Sequence, residues 1–245
     1  MIKRTILLVC CLFFTVSLFA TNDKEKTTLI DAKNKLINSK GIIEKLEDTF
    51  HKKVTLYNDE QEVAKGYDAI AAYYINKFSS EYEVNTVLSD RISFKSFQID
   101  RERVITSEGT LDRVALYQFK KGKIFKIWFL SPNLSKPNAV PAVNELARGY
   151  RDSNLNDFMD ALAPYIIECD FPGRCNVAGK RDMRERYQQY LGKHTTSYRV
   201  VKRIAIGDLV IDDNYISLYL KESRNIAIYQ TDNKGKIKRI EFLGF

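Results

Sequence analysis

The residues best equipped for chemistry lie together in the stretch Cys169-Asp170-Phe171-Pro172-Gly173-Arg174-Cys175. In an oxidising compartment the two thiols can close a short-loop disulfide, because the Pro172-Gly173 turn brings its ends together. They can equally stay separate, with Cys169 buried on a strand, since sequence does not set the Cα separation that a disulfide needs. The rest of the inventory excludes more than it offers. His51 and His194 are the only histidines and no CxxC spacing occurs, so a metal site would have to lean on carboxylates, and none is expected. His194 follows Gly192-Lys193 after a helical pattern and reads as a surface loop residue. Two histidines nearly exclude a Ser-His-Asp triad. With neither a phosphate loop nor a dinucleotide fingerprint, no cofactor is expected.

These residues must be held in place by a chain of 245 residues, enough for one large domain or two of ordinary size. Hydrophobic residues make up 44% and charged residues 29%, the balance of a folded chain rather than a disordered one. The net charge is +8, but Lys and Arg are scattered among acids without a long basic run. That distribution reads as solubility and argues against a nucleic-acid partner. Residues 1–20 read as a secretory signal: Lys3 and Arg4 form a basic start, 5–19 an apolar run short for a bilayer, and Ala20 precedes a polar segment. Leu18 stands where a small residue is preferred before the cut, which leaves an uncleaved N-terminal anchor as the alternative. The expectation is export, to a periplasm or beyond, with cleavage near Ala20. No later segment approaches membrane-spanning length.

The chain is organised by an internal repeat. KGKIFKIWFL at 121–130 recurs as KGKIKRIEFL at 234–243, with seven of ten positions identical at an offset of 113. VALYQ at 114–118 recurs as IAIYQ at 226–230, and RISFKSFQID at 91–100 as RIAIGDLVID at 203–212, both offset by 112. Gly66, Ile70, Tyr74 and Phe78 match Gly179, Met183, Tyr187 and Leu191 at an offset of 113. The four-residue spacing in each set makes one stripe of a helix. Upstream, Ile42, Ile43, Leu46 and Phe50 predict a helix in the first copy; 143–150 and then Leu155, Phe158, Met159 and Leu162 predict two in the second. Downstream both copies turn to strands: 91–98, 104–108, 114–120 and 124–130, then 203–206, 216–221, 226–230 and 237–242. Lys120-Lys121-Gly122 and Asn233-Lys234-Gly235 are hairpin turns. Helices followed by an antiparallel meander make an α+β pattern. The junction falls near 131–141, where Ser, Pro and Asn break both periodicities.

In this order the blocks resemble the nuclear transport factor 2-like superfamily, which includes SnoaL-like cyclases and ketosteroid isomerases. The resemblance implies two tandem cone-shaped domains, 27–131 and 138–245, each with N-terminal helices packed in a curved, mainly antiparallel sheet and a pocket at the cone's open end. Members commonly pair through their sheets. An intramolecular pseudo-dimer and a homo-oligomer are therefore both open, as are a small apolar molecule and a protein as the partner.

Carried over residue by residue, the isomerase base falls on Asp170 and the pocket tyrosine on Tyr187. The oxyanion acid falls on Ala227 and the early-helix tyrosine near Ala147, so the oxyanion pair is missing. Asp170 is thus either a general base whose pKa would rise in an apolar pocket, or a loop-edge carboxylate capping the Pro172-Gly173 turn. Tyr187 and Tyr229 are expected to line the second cavity or core. The first copy has Tyr57 at the base position and Ala115 at the acid position, and Tyr57, Tyr74 and Tyr117 would line its cavity with polar tips. Trp128 alternates with Ile127 and Phe129; if those two face the cone, Trp128 lies on the outer sheet face, suited to a domain–domain or dimer contact. Its counterpart Glu241 makes that surface unequal between copies.

Overall fold

Each half of the chain starts with helices and ends in a sheet of identical strand order. The computed structural model describes residues 23–38, 46–78, 84–191, 196–218 and 221–243; the leader, Ile42, Ile43 and His194 lie outside them. In the first unit the elements are α1 (Asp23–Asn38), α2 (Leu46–Thr49), β1 (Phe50–Asn58), β2 (Gln61–Lys65), α3 (Tyr67–Phe78), β3 (Asn85–Phe94), β4 (Phe97–Thr106), β5 (Gly109–Lys120) and β6 (Lys123–Leu130). The second unit has α4 (Val140–Arg151), α5 (Leu155–Asp160), β7 (Leu162–Phe171), β8 (Arg174–Ala178), α6 (Gly179–Tyr187), β9 (Thr196–Ile206), β10 (Leu209–Leu218), β11 (Lys221–Thr231) and β12 (Ile237–Leu243). The sheets run β2-β1-β6-β5-β4-β3 and β8-β7-β12-β11-β10-β9. Only β1 with β6, and β7 with β12, pair parallel among these strands. The protein is therefore α+β with two tandem cone-shaped units.

The structure corrects the sequence reading at the first hairpin of each unit. Phe50 and Leu162, expected on helices, instead begin β1 and β7. Both strands are irregular, with register breaks between Phe50 and Thr55 and between Ile237 and Arg239 of the partner strand, so neither period shows in their sequences. The meander also turns earlier than read: β3 stops at Phe94, Lys95, with φ 48°, turns the chain, and β4 starts at Phe97.

Ile70 and Tyr74 of α3, and Met183 and Tyr187 of α6, are buried as the four-residue stripes require. They pack on the concave faces of their sheets, Tyr74 with Phe50, Val54, Tyr117, Ile127 and Phe129, and Tyr187 with Tyr150, Phe158, Ile166, Tyr229 and Ile240. The convex faces also carry apolar residues, and these meet each other. Ile92, Phe94, Ile99, Leu116 and Trp128 of the first sheet bury against Ile204, Leu209, Ile211, Ile226 and Ile228 of the second. The two units of the chain thus pack against each other through their sheets. The linker is fastened to the second unit, where Asp208 Oδ1 accepts from Asn133 N at 2.7 Å and Asp208 Oδ2 pairs with Lys136 Nζ at 3.3 Å.

In the second unit α4 and α5 approach so closely that a Cβ on Gly149 would stand 2.4 Å from Phe158 N and 2.7 Å from its Cα. Gly149→Ala is expected to destabilise the protein by about 1–3 kcal/mol through overpacking. Urea unfolding checks this; an unchanged midpoint would show that the two helices can part without cost.

Candidate functional site

The meeting of the two convex faces leaves a cavity of about 780 Å³ along its edge. Strand alternation explains its floor. Ile127 and Phe129 point into the first cone, which turns Trp128 outward, and Tyr57, the register partner of Trp128 on β1, shares that face. The two rings stack with centroids 5.4 Å apart and planes 11° apart. Phe171, at the end of β7, meets Trp128 edge-on at 5.1 Å. Leu130, Leu209 and Ile228 complete the apolar lining. Around this floor stand Asp59, Glu60, Lys126, Gln230, Arg239 and Glu241. Arg239 bridges the units, pairing with Glu60 of the first and Glu241 of the second. Glu60 follows Asp59, whose amide donates to Phe129 O at 2.8 Å and whose Oδ1 accepts from Ser131 N at 3.0 Å. The turn that presents Glu60 is thereby tied to the linker. Lys126 Nζ lies 5.6 Å over the Trp128 ring. A flat apolar floor with separated cations and anions at its rim suits an amphipathic molecule, not a large charged one.

The disulfide joins Cys169 and Cys175, register partners across the β7–β8 hairpin. Cys175 and the Phe171-Pro172-Gly173 turn form one wall of the cavity. Tyr57, read as lining the first cone, instead lies in this seam, because the break in β1 shifts the phase of its last residues. Tyr74 and Tyr117 do face the first cone, but as buried members of a filled core.

The second cone is also largely filled. Tyr150, Phe158, Tyr187 and Tyr229 are buried in its core, and the rings of Phe158 and Tyr187 lie 4.5 Å apart, tilted by 32°. Asp170 and Tyr187 are not brought together. Asp170 Oδ2 accepts from Asn176 Nδ2 at 3.0 Å, while Tyr187 donates to Glu168 Oε2 at 2.6 Å. Glu168 stands two residues earlier on the same strand and its Oε1 accepts from Arg186 Nε at 3.0 Å. Burial pushes the Glu168 carboxyl up, more than the Tyr187 bond and the Arg186 charge pull it down. Tyr229 sits 3.0 Å from Tyr198 Oη, which donates to Asp212 Oδ2 at 3.1 Å; Arg203 holds both oxygens of that carboxylate at 2.6 and 2.7 Å. At the mouth a recess of about 680 Å³ is lined by Asn144, Ala147, Arg151, Tyr198, Arg199 and Arg203. Tyr150, Glu168, Tyr198 and Asp212 were missed from sequence. Tyr150 lies one helical turn from Ala147 and Glu168 one strand period from Asp170, so periodicity placed the faces without selecting the residue.

Among the described residues no group of three or more His, Cys, Asp or Glu could hold a metal, and no helix is long and apolar enough to cross a membrane. Three solved structures similar to part of the chain can be named. A cystatin-fold protein from Novosphingobium aromaticivorans is 12% identical, with 44% of this chain and 99% of that one covered, at a TM-score of 0.40. An NTF2-like protein of unknown function from Cytophaga hutchinsonii is 16% identical, with 44% and 90% covered, at 0.37. The Δ5-3-ketosteroid isomerase from Mycobacterium sp. is 13% identical, with 44% and 92% covered, at 0.40. These are likenesses of fold. No family model and no curated protein matches the chain.

Glu168 predicts a pH dependence. Between the ordinary glutamate value and the raised native one, the folded protein keeps a proton that the unfolded chain has released, so this group's contribution falls as pH rises. Glu168→Gln keeps the bond from Tyr187 without the charge. Its stability relative to the parent, measured by urea unfolding, is expected to increase from pH 4 to pH 7. A constant difference would mean that Arg186 compensates the charge fully.

Proposed function

We propose that this is an exported binding protein that takes a small, flat, largely apolar molecule into the cleft between its two units. The observation that carries the reading is the seam cavity floored by Tyr57, Trp128 and Phe171. Both cones devote their interiors to their own tyrosines and phenylalanines, whereas the seam keeps about 780 Å³ beside three aromatic rings. Apolar contact would supply the affinity, and Lys126, Arg239 and the acids beside them would orient the polar ends of the ligand. General-base chemistry at Asp170 finds less support, because the hydroxyl of Tyr187 is directed to Glu168. Export rests on the basic and apolar character of residues 1–20 and agrees with a disulfide in the mature part. N-terminal sequencing of the secreted protein is expected to begin at Thr21; an intact Met1 would sink this part of the reading.

Trp128 is the chain's single tryptophan and reports directly on the cleft. Titration with anilinonaphthalene sulfonate, an amphipathic aromatic probe, is expected to quench its emission saturably at one probe per chain. Phe171→Ala should weaken that binding about tenfold, equivalent to about 1.4 kcal/mol. Binding of the probe without any change at Trp128, or with unaltered affinity in the variant, would place the ligand elsewhere.

A further inference from the structure

We propose that the first unit contains a binding site for a primary alkylammonium group, and that the chain occupies it with its own Lys33. Lys33 projects from α1 into the first cone and is 0% exposed. Its Nζ donates to Tyr117 Oη at 2.5 Å and lies 3.6 Å from Glu102 Oε1. The same nitrogen stands 4.7 Å from the centroid of the Tyr117 ring and 6.0 Å from that of Phe129. Tyr117 passes the hydrogen bond on to Glu102 Oε1 at 2.5 Å, and Arg113 holds Glu102 Oε2 through Nε and Nη2 at 3.0 and 2.8 Å. A carboxylate and a phenol hydroxyl therefore converge on one ammonium, with the Phe129 ring at the limit of cation–π reach, a combination suited to a desolvated organic cation. Burial pulls Lys33 below the usual lysine value, against the Glu102 charge, while Lys33 and Arg113, with the bonds from Tyr117 and Arg113, hold the Glu102 carboxyl below the usual carboxylate range despite its burial.

The second unit acts as an internal control for what the fold itself requires. Arg91 bonds Asp31 and Asp100, and its repeat partner Arg203 bonds Asn144 and Asp212 in the same way. This aligns α1 with α4 and sets Lys33 opposite Leu146, both two residues further along. At the repeat offset Glu102 corresponds to Asn214 and Arg113 to Asn225, while Tyr117 keeps its counterpart Tyr229. All three charges present in one cone are absent from the other. Leu146, 3% exposed, fills the helix position without them. Burying three charges costs desolvation that an apolar side chain avoids, so the packing of the cone gives no reason for them. Recognition of an ammonium does. Because Lys33 is tethered, its effective concentration keeps free amines out, and α1 is the element that must leave to admit one. It is held by Asp31 to Arg91 at 3.2 Å, by Lys26 Nζ to Lys95 O at 2.7 Å and by Gln98 Nε2 to Thr27 Oγ1 at 3.4 Å.

Lys33→Ala removes the occupant and leaves space for propylammonium, which replaces the deleted atoms. Thermal and urea unfolding of this variant in the mature chain is expected to show a loss of stability that n-propylammonium chloride restores saturably. At ten times the dissociation constant the folding equilibrium constant should rise about tenfold. Sodium chloride at equal ionic strength and 1-propanol at equal concentration should do neither. Adding Glu102→Gln to Lys33→Ala should abolish the response. If Lys33→Ala is unfolded in plain buffer, recovery of the native circular dichroism in propylammonium alone carries the same meaning. A variant folded in neither buffer, one indifferent to which solute is added, or a response that survives Glu102→Gln would overturn the proposal.

Discussion

Burial of two convex sheet faces against each other is the contact on which the remaining architecture rests. An open sheet of six strands has two sides, and helices cover only one of them in each unit. The side left over in the first unit carries Ile99, Leu116 and Trp128, and in the second Ile211, Ile226 and Ile228. Burying such residues is favourable by roughly 25 cal/mol per Å² of apolar surface, and each face covers the other. Charged contacts fix the alignment without driving it. Lys202 reaches Asp90 at 2.8 Å and Arg224 Nη2 donates to Ser93 O at 3.1 Å, both at the margin, where exposed pairs add little energy.

Because the seam is formed by surfaces with unequal side chains, it does not close evenly. Trp128 has Glu241 as its repeat counterpart, and Lys126 has Arg239. A perfectly symmetric pair would place the same residue on both sides of the axis. Here aromatic bulk comes mainly from the first unit, joined by Phe171 of the second, and the cleft opens where Tyr57, Trp128 and Phe171 meet the polar rim. The unequal outer faces of the two repeats thus leave a cavity lined by residues of both units.

Inside the cones the same divergence separates two solutions to one problem. The conserved geometry of the repeat is the Arg–Asp pair, Arg91 with Asp100 and Arg203 with Asp212, each bidentate at 2.6–2.8 Å. Around it the first cone is organised by ions and the second by tyrosines: Lys33, Glu102 and Arg113 in one, Tyr150, Tyr198 and Tyr229 in the other. Each network has a tyrosine hydroxyl at its centre, Tyr117 bonded to Lys33 and Glu102 in the first cone and Tyr229 bonded to Tyr198 in the second.

The amino-acid sequence alone determined the copy number, the offset between copies, the helical stripes through Tyr74 and Tyr187, and the outward phase of Trp128. Each of these depends on spacing along the chain, which local periodicity records. It did not reveal the β1–β2 and β7–β8 hairpins, whose register breaks interrupt the alternation that would have announced them. Nor could it choose between Asp170 and Glu168, two residues apart on one strand face, since only the position of α6 decides which carboxylate meets Tyr187. The pairing of Cys169 with Cys175 waited on the hairpin that sets them opposite each other. The cleft and the buried ammonium of Lys33 were decided by tertiary structure for the same reason: both join segments far apart in the chain, and the distance between such segments is set by how curved sheets pack, not by any pattern within them.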